Sequence, residues 1–542
     1  MINFKLNKVK TIQSFLLLAL GLTQMGITTQ AQTAHPRDPE SCTSIMVGRK
    51  ASADGSVITS HTCDSWYRTW VNIPAAQDFE RDTVTTIYDG LMHTEFPADR
   101  TGVQVKGEIP QVRHTYAFLN TSYPCLNEKQ LGMGETTISG RKELQNPKGM
   151  FMIEELQRIA LERCTTAREA IQLMGQLIKQ YGYADSGECL TIADPQEVWQ
   201  FEVFGEGKEK VGGVWAAQRI PDDHVGVSAN ISRISTLNLK DKEHFMASDN
   251  VFDVARRLGY WDGKEPFKFW KAYSGGNYFG EKKSFSVREW FVLNTLAPSL
   301  HLDINAEELP FSVKPEEQVD VTRVMALLRE TYEGTDLDIT RNLKVTVKHK
   351  DGTTDTIVSP KANPWMRADE QKMLNGIREG AVKNVRNISV PQCAYSTVIQ
   401  LRSWLPDAVG GVVWLSMDNP GQSPRVPIFC GVTKLPALYG ICGNHRYRKD
   451  AALWHYREAN KLAALRWGTW RKQMEQNVLH FERKGQQELP MVEARYQTIL
   501  KEEGEEAARS YLNGYTRDFI GATILTWDEM AADFWNAARF GF

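Results

Sequence analysis

Apolar and polar positions change period several times along the chain, and each change marks an element. The run Cys42-Thr43-Ser44-Ile45-Met46-Val47-Gly48 is strand-like; the turn Ser52-Ala53-Asp54-Gly55-Ser56 and a second run, Val57-Ile58-Thr59-Ser60, complete a hairpin pattern. Residues 42 to about 120 keep this character, with β-branched and aromatic residues interrupted by Gly, Asp and Pro. Helical spacing then takes over from Met150 to Glu162 and from Thr166 to Tyr181. In the second stretch Ala167, Ala170, Ile171, Met174, Leu177 and Ile178 share one face, and Thr166 can cap its start. Strands are predicted at Cys189 to Ala193, Val198 to Val203 and Val225 to Ala229, and helices at Val251 to Leu258, Val287 to Leu293 and Thr322 to Tyr332. Asn342 to Pro360, turning at Asp351-Gly352, reads as a hairpin insertion. Strands return at Thr397 to Arg402 and Val412 to Met417, and from Ala451 onward the pattern is helical. Strands, then helices, then strands again predict a layered α+β domain wrapped by a helical C-terminal segment, with no internal repeat to suggest an array.

The first forty residues follow a different pattern. Lys5, Lys8 and Lys10 precede a short apolar run from Phe15 to Leu22, and Thr29-Gln30-Ala31 offers a small-residue cleavage site, so a secretory signal peptide is expected over residues 1–31. That run is too short to span a bilayer, and no later run reaches the roughly eighteen apolar residues a span requires. The expectation is a periplasmic or secreted protein with no membrane attachment after leader removal. A lipoprotein would acylate Cys42, but Pro39-Glu40-Ser41 precedes it where small apolar residues would be needed.

The remaining chain, about 500 residues, suits one large elaborated domain or two to three ordinary ones. The 66 acidic and 64 basic residues nearly cancel, which argues against a nucleic-acid or anionic-membrane partner. Eight cysteines in so long a chain do not make a disulfide scaffold; Cys430 and Cys442 are close in sequence, but spacing cannot establish pairing. No CxxC, HExxH or clustered His/Cys set occurs, so no catalytic metal and no cofactor are expected. The fifteen tryptophans read chiefly as core and helix-packing residues, with a substrate cleft or carbohydrate platform as the other use. The charged C-terminal helices read as a solvated packing layer, or as a homo-oligomer contact.

Cys42 carries the most chemistry. It opens a predicted hairpin directly behind a removable segment, and cleavage of the Ser41–Cys42 bond would give one residue a thiol and a free α-amine. A thiol titrates near about 8.5 and an α-amine near about 8, so the neutral amine can take the thiol proton, combining nucleophile and base. An ordinary buried strand cysteine would occupy the same position, and position alone leaves both open.

A set of strings in fixed order resembles the cysteine-nucleophile dipeptidases (dipeptidase A type) of the Ntn-hydrolase superfamily, relatives of the penicillin V acylases and choloylglycine hydrolases. They are Cys42-Thr43, Asp54-Gly55-Ser56, Asp64-Ser65, Asn127-Glu128, Gly134-Glu135-Thr136-Thr137, Gly187-Glu188, Ile192-Ala193-Asp194-Pro195, Arg219-Ile220-Pro221-Asp222-Asp223, Ala229-Asn230, and Arg402-Ser403-Trp404-Leu405-Pro406-Asp407 with Gly410-Gly411. The resemblance covers about Cys42 to Gly431. It implies a four-layer αββα sandwich, self-cleavage that removes a propeptide (32–41), a hydrolase domain over 42–449, a helical segment over 450–542, and hydrolysis of dipeptides. It further implies Cys42 as nucleophile, Asp64 as the acid that holds the new α-amine, Asn230 as an oxyanion donor and Arg288 as a guanidinium beside the thiol.

Thr137, or its neighbour Thr136, would present a polar group to oxyanion or substrate, and Glu135 or Glu188 would meet the ammonium of a dipeptide. Cys63 reads as structural. One position departs from the family: relatives carry an arginine three residues before the aspartate, where this chain has His61. Another residue supplies that positive charge, or specificity and pH profile differ. The rival readings are an N-acyl amide hydrolase acting on bile-salt, penicillin-like or N-acyl amino acid substrates, and an inactive peptide- or glycan-binding protein.

Overall fold

The computed structural model describes residues 41–275, 282–539 and 541. The predicted leader, and the predicted propeptide apart from Ser41, lie outside the described residues. The core is two seven-stranded antiparallel sheets. The first runs, in spatial order, Ser312–Val313, Val225–Ser228, Ser44–Val47, Val57–Asp64, Cys393–Leu401, Gly411–Met417 and Val426–Phe429. The second runs Phe245–Ala247, Gly213–Ile220, Val198–Gly205, Glu188–Ala193, Gly132–Thr137, Leu126–Asn127 and Phe118–Leu119. The strand Val57–Asp64 of the first sheet packs on Gly132–Thr137 and Glu188–Ala193 of the second, so the inner faces meet.

Helices cover both outer faces. The helix Ala167–Tyr181 lies on Glu188–Ala193, Val198–Gly205 and Gly213–Ile220, burying the face predicted from its spacing. Thr166 starts it with a capping box shared with Glu169, a device worth about 1 kcal/mol. On the other side, Val287–Leu296, Val321–Leu328 and the C-terminal helices Ala452–Leu465, Trp467–Glu503 and Glu505–Ala537 pack on the first sheet. The fold is therefore α+β with layers in the order αββα. Nine of the fifteen tryptophans are buried, Trp199, Trp414 and Trp527 completely, whereas Trp66, Trp404 and Trp535 are about half exposed, so most of the tryptophans sit in packed positions.

Three sequence expectations are corrected. The second strand does not stop near Ser60 but continues through His61, Thr62 and Cys63 to Asp64, every residue buried. Its polar side chains find partners inside: Ser60 Oγ takes the Ile45 N–H at 2.7 Å and Thr62 Oγ1 the Thr43 N–H at 2.9 Å. A polar composition thus conceals a central strand. The strand Gly213–Ile220 was not predicted, and the helix from Val321 ends at Leu328 rather than Tyr332, whose φ of 62° is left-handed. None of the eight cysteines forms a disulfide, so Cys430 and Cys442 are not joined. Among the described residues no helix is long and apolar enough to cross a membrane.

Candidate active site

Cys42 precedes the strand Ser44–Val47 and has no exposed surface. The chain before it is held as an extra rung of the first sheet. Ser41 N donates to Asp64 O at 3.2 Å, and Asp64 N donates back to Ser41 O at 3.1 Å. At Cys42 itself three groups converge. Its backbone N–H donates to Asn230 Oδ1 at 2.8 Å, its Sγ lies 3.6 Å from Glu135 Oε2, and its carbonyl accepts from Arg288 Nη1 at 2.6 Å.

Local sequence explains each placement. Asn230 follows the strand Val225–Ser228 with φ at 63°, a conformation that asparagine tolerates better than most residues, and this turns its amide toward Cys42. Asn230 Nδ2 donates to Thr137 O at 2.8 Å, which fixes the amide's orientation. Arg288 is the second residue of Val287–Leu296, and Ser286 with Glu289 forms a capping box at that helix's start. The other oxygen of Glu289 accepts the Ala229 N–H at 3.0 Å, tying the helix to the residue before Asn230. Arg288 then spreads its fork over Cys42 O, Thr43 Oγ1, Ala229 O and Asn230 Oδ1, all buried. Charge-assisted bonds of this kind contribute about 1.5–3 kcal/mol each.

Glu135 reaches the thiol because its neighbour is glycine. A Cβ on Gly134 would sit 2.2 Å from Ser60 O, so only glycine lets the two sheets approach this closely. Glu135 Oε1 accepts from Thr137 Oγ1 at 3.2 Å, and Glu135 Oε2 lies 3.5 Å from His61 Nε2. Thr136 instead pairs with Ser228 Oγ at 2.6 Å, so of the two threonines Thr137 is the one that joins this cluster. Edge-on contacts from Tyr123 and Tyr395 hold the His61 ring.

Burial, reinforced by the Glu135 charge, pushes the Cys42 thiol well above its usual range. The thiol is therefore protonated while the Ser41–Cys42 bond is intact. Burial also drives His61 down to about 3, leaving a neutral imidazole. Arg288 falls to about 10 through burial and the neighbouring Arg386, and remains charged at neutral pH. Burial raises the Asp64 carboxyl, with Arg386 the largest opposing influence.

Two further carboxylates complete the surroundings of Cys42. The Asp64 carboxylate does not meet the Cys42 nitrogen, which Asn230 holds; it accepts from Thr62 Oγ1 at 2.9 Å and Arg386 Nη2 at 2.8 Å. Glu188 is buried and in register with Thr137, and its charge helps to raise the Tyr123 and Tyr183 hydroxyls. Sequence reasoning missed Arg386 altogether. Its Nη2 also donates to Ser41 Oγ at 2.7 Å, so it grips both the residue before Cys42 and Asp64. The signal was faint: Lys383-Asn384-Val385-Arg386-Asn387 reads as a solvated loop.

Cys42 Sγ, His61 Nε2 and Glu135 Oε2 lie within 4.8 Å of one another, the one set of this kind among the described residues able to hold a metal ion. The apolar cavity bordered by Ile73, Phe118, Val413 and Phe429 takes none of its lining from these residues.

Comparison with known proteins gives this geometry a context. The family model described as Peptidase family C69 matches residues 41–480. A protein of Latilactobacillus sakei described as a probable dipeptidase is 26% identical over 412 residues, covering 73% of this chain and 76% of its own. A probable dipeptidase of Salmonella dublin is 25% identical over 409 residues, covering 72% and 81%. A probable dipeptidase A of Streptococcus pyogenes is 22% identical over 511 residues, covering 89% and 95%.

Proposed function

The chain belongs to peptidase family C69, and from that premise we propose that it is an exported dipeptidase whose nucleophile is Cys42, exposed by self-cleavage at Ser41–Cys42. The observation that carries this reading is the double hold on Cys42: its nitrogen on Asn230 and its thiol against Glu135, with Arg288 on its carbonyl. No part of that arrangement is needed to bury a strand cysteine.

The geometry supports a route for each step. Before cleavage no α-amine exists, and the base in contact with the thiol is Glu135. Glu135 takes the thiol proton as Sγ attacks the Ser41 carbonyl carbon, and the oxyanion is met by the Asp64 N–H already bonded to Ser41 O. The C–N bond breaks, the nitrogen takes the proton, and water hydrolyses the Ser41 thioester. In the mature protein the Cys42 amine takes over as base. The thiolate attacks a dipeptide carbonyl, the departing amino acid receives the proton, and water again resolves the thioester.

Glu135, relieved of its first task, can receive the substrate ammonium, with Glu188 as a second carboxylate near Tyr123. Asn230 can serve the oxyanion once its Nδ2 is shared with, or turned from, Thr137 O. Arg288 and Arg386 supply the positive charge that His61, neutral here, does not. Asp64, adjacent to the cleaved bond, can hold the new ammonium after Ser41 leaves Arg386. A buried carboxylate at the thiol favours a charged dipeptide terminus over an apolar acyl group. The leader pattern supports export to the periplasm or medium.

Intact mass and N-terminal sequencing of the wild type and Cys42→Ala test the proposal. Wild-type chains should begin at Cys42 and cleave dipeptides in preference to N-acyl amides, while Cys42→Ala should keep the Ser41–Ala bond. A wild type that retains residue 41, or a Cys42→Ala variant processed at the same bond, would overturn it.

A further inference from the structure

We propose that the nucleophile site doubles as an inhibitory binding site for a thiophilic divalent cation such as Zn²⁺, held by Cys42 Sγ, His61 Nε2 and Glu135 Oε2. Tetrahedral zinc, with bonds of about 2.3 Å to sulfur and about 2.0–2.2 Å to nitrogen and oxygen, requires ligand-to-ligand edges of roughly 3.4–3.6 Å. Two edges are 3.6 Å from Cys42 Sγ to Glu135 Oε2 and 3.5 Å from His61 Nε2 to Glu135 Oε2, and the third, between Cys42 Sγ and His61 Nε2, is within 4.8 Å. All three side chains are at most 1% exposed, so the donors are preset rather than gathered from a mobile surface.

A second observation points to a ligand. His61 Nε2 is buried and makes no hydrogen bond among the described residues, although it faces the Glu135 carboxylate. The supporting shell is also present. Thr137 Oγ1 steadies the other Glu135 oxygen, and Tyr123 and Tyr395 fix the imidazole plane.

The inference rests on the proposed maturation for its fourth ligand. Once Ser41 is removed, the Cys42 α-amine and Sγ belong to one residue and can close a five-membered chelate ring on the cation. Binding displaces the thiol proton to solvent and forms the metal–sulfur bond, with no change of oxidation state. It occupies nucleophile, base and the Glu135 carboxylate together, so the metal blocks catalysis by competing with the dipeptide. The proposed catalytic route uses no metal.

The test uses the mature protein, first stripped with EDTA, then titrated with Co²⁺ and separately with Zn²⁺. The expected result is one cation per chain, with a sulfur-to-cobalt charge-transfer band and the intense visible bands of tetrahedral cobalt. The band should vanish in Cys42→Ser. In His61→Ala, and in the fraction of Glu135→Gln whose N-terminus is Cys42, the Kd for Zn²⁺ should rise by at least the roughly 10–100-fold seen when even an outer-shell partner is lost. Circular dichroism of each variant separates ligand loss from misfolding. Absence of the band in folded wild type, or Zn²⁺ binding unchanged in both His61→Ala and Glu135→Gln, would overturn the inference.

Dipeptidase activity of the EDTA-treated protein and its N-terminus are read independently. An inactive or unprocessed chain that still shows the cobalt band refutes the proposed function and leaves the three-donor site standing. An active chain without the band does the reverse.

Discussion

Replacing Arg386 by alanine tests how this site tolerates a fully buried acid. Asp64 has no exposed surface, and the guanidinium that meets it at 2.8 Å is 21% exposed. Breaking a buried pair by removing one partner costs about 3–5 kcal/mol. With a fifth of Arg386 already in water, the deficit near pH 8 should sit at or just below the lower end, about 2–3 kcal/mol.

Its pH dependence follows from the sign of the Asp64 shift. Burial already raises that carboxyl above 3.8 in the wild type, so the folded protein holds the proton more tightly than the unfolded chain and loses stability as pH rises through that window. Without Arg386 the folded value climbs further, and the loss extends to higher pH. Between the wild-type and variant values the deficit should shrink by about 1.4 kcal/mol for each unit that pH falls. Urea denaturation of both proteins in steps from pH 8 to pH 5 measures it. Arg386→Lys, which keeps the charge but not the fork, should recover most of the pH dependence. A deficit constant across that range, or no deficit at pH 8, would refute the claim that Arg386 opposes the upward push of burial on the Asp64 carboxyl.

Glu135→Gln keeps the shape of the side chain but removes the proton acceptor at the thiol. Self-cleavage should slow by about a hundred- to ten-thousandfold, the usual span for a lost general base, followed as the decay of precursor mass after refolding. Gly485→Ala places a Cβ 2.7 Å from Trp414 Cζ3, so it should destabilise the packing of the C-terminal helix on the first sheet by about 1–3 kcal/mol. Thermal unfolding checks this, and N-terminal processing of the folded fraction should be unchanged.

Much of the fold was legible because periodicity and burial agree. The helix Ala167–Tyr181 shows its buried face and its Thr166 cap in the sequence itself. The stretch from Ser60 to Asp64 was not legible, because its polar side chains satisfy one another between the sheets and no apolar alternation reports the strand. The site divides the same way. The capping box at Ser286 and Glu289 can be read locally, and it places Arg288 at a helix start. What cannot be read locally is that this start faces Cys42 across the first sheet. The side chains that converge on Cys42 share no spacing, since His61, Glu135, Asn230 and Arg288 reach it from four separate stretches of chain. Arg386 gave only a faint signal, since charged loops are ordinarily solvated and only the path of the chain reveals its buried partner.

The grip on Ser41 also orders events in time. Arg386 reaches back across 345 residues to Ser41 Oγ, and Arg288 across 246 to the carbonyl of Cys42. Contacts so distant form only after long loops have closed, which makes them late in folding. In the proposed self-cleavage, a nascent chain shorter than about 390 residues would lack the Arg386 hold on Ser41, and so would a misfolded one that has failed to bring its two sheets together. The proposed scission would then work as a quality stamp: a freed N-terminus would record that residues from across the whole family-matched region have found one another. Any pool of unprocessed protein in the cell would count the molecules that have not yet folded.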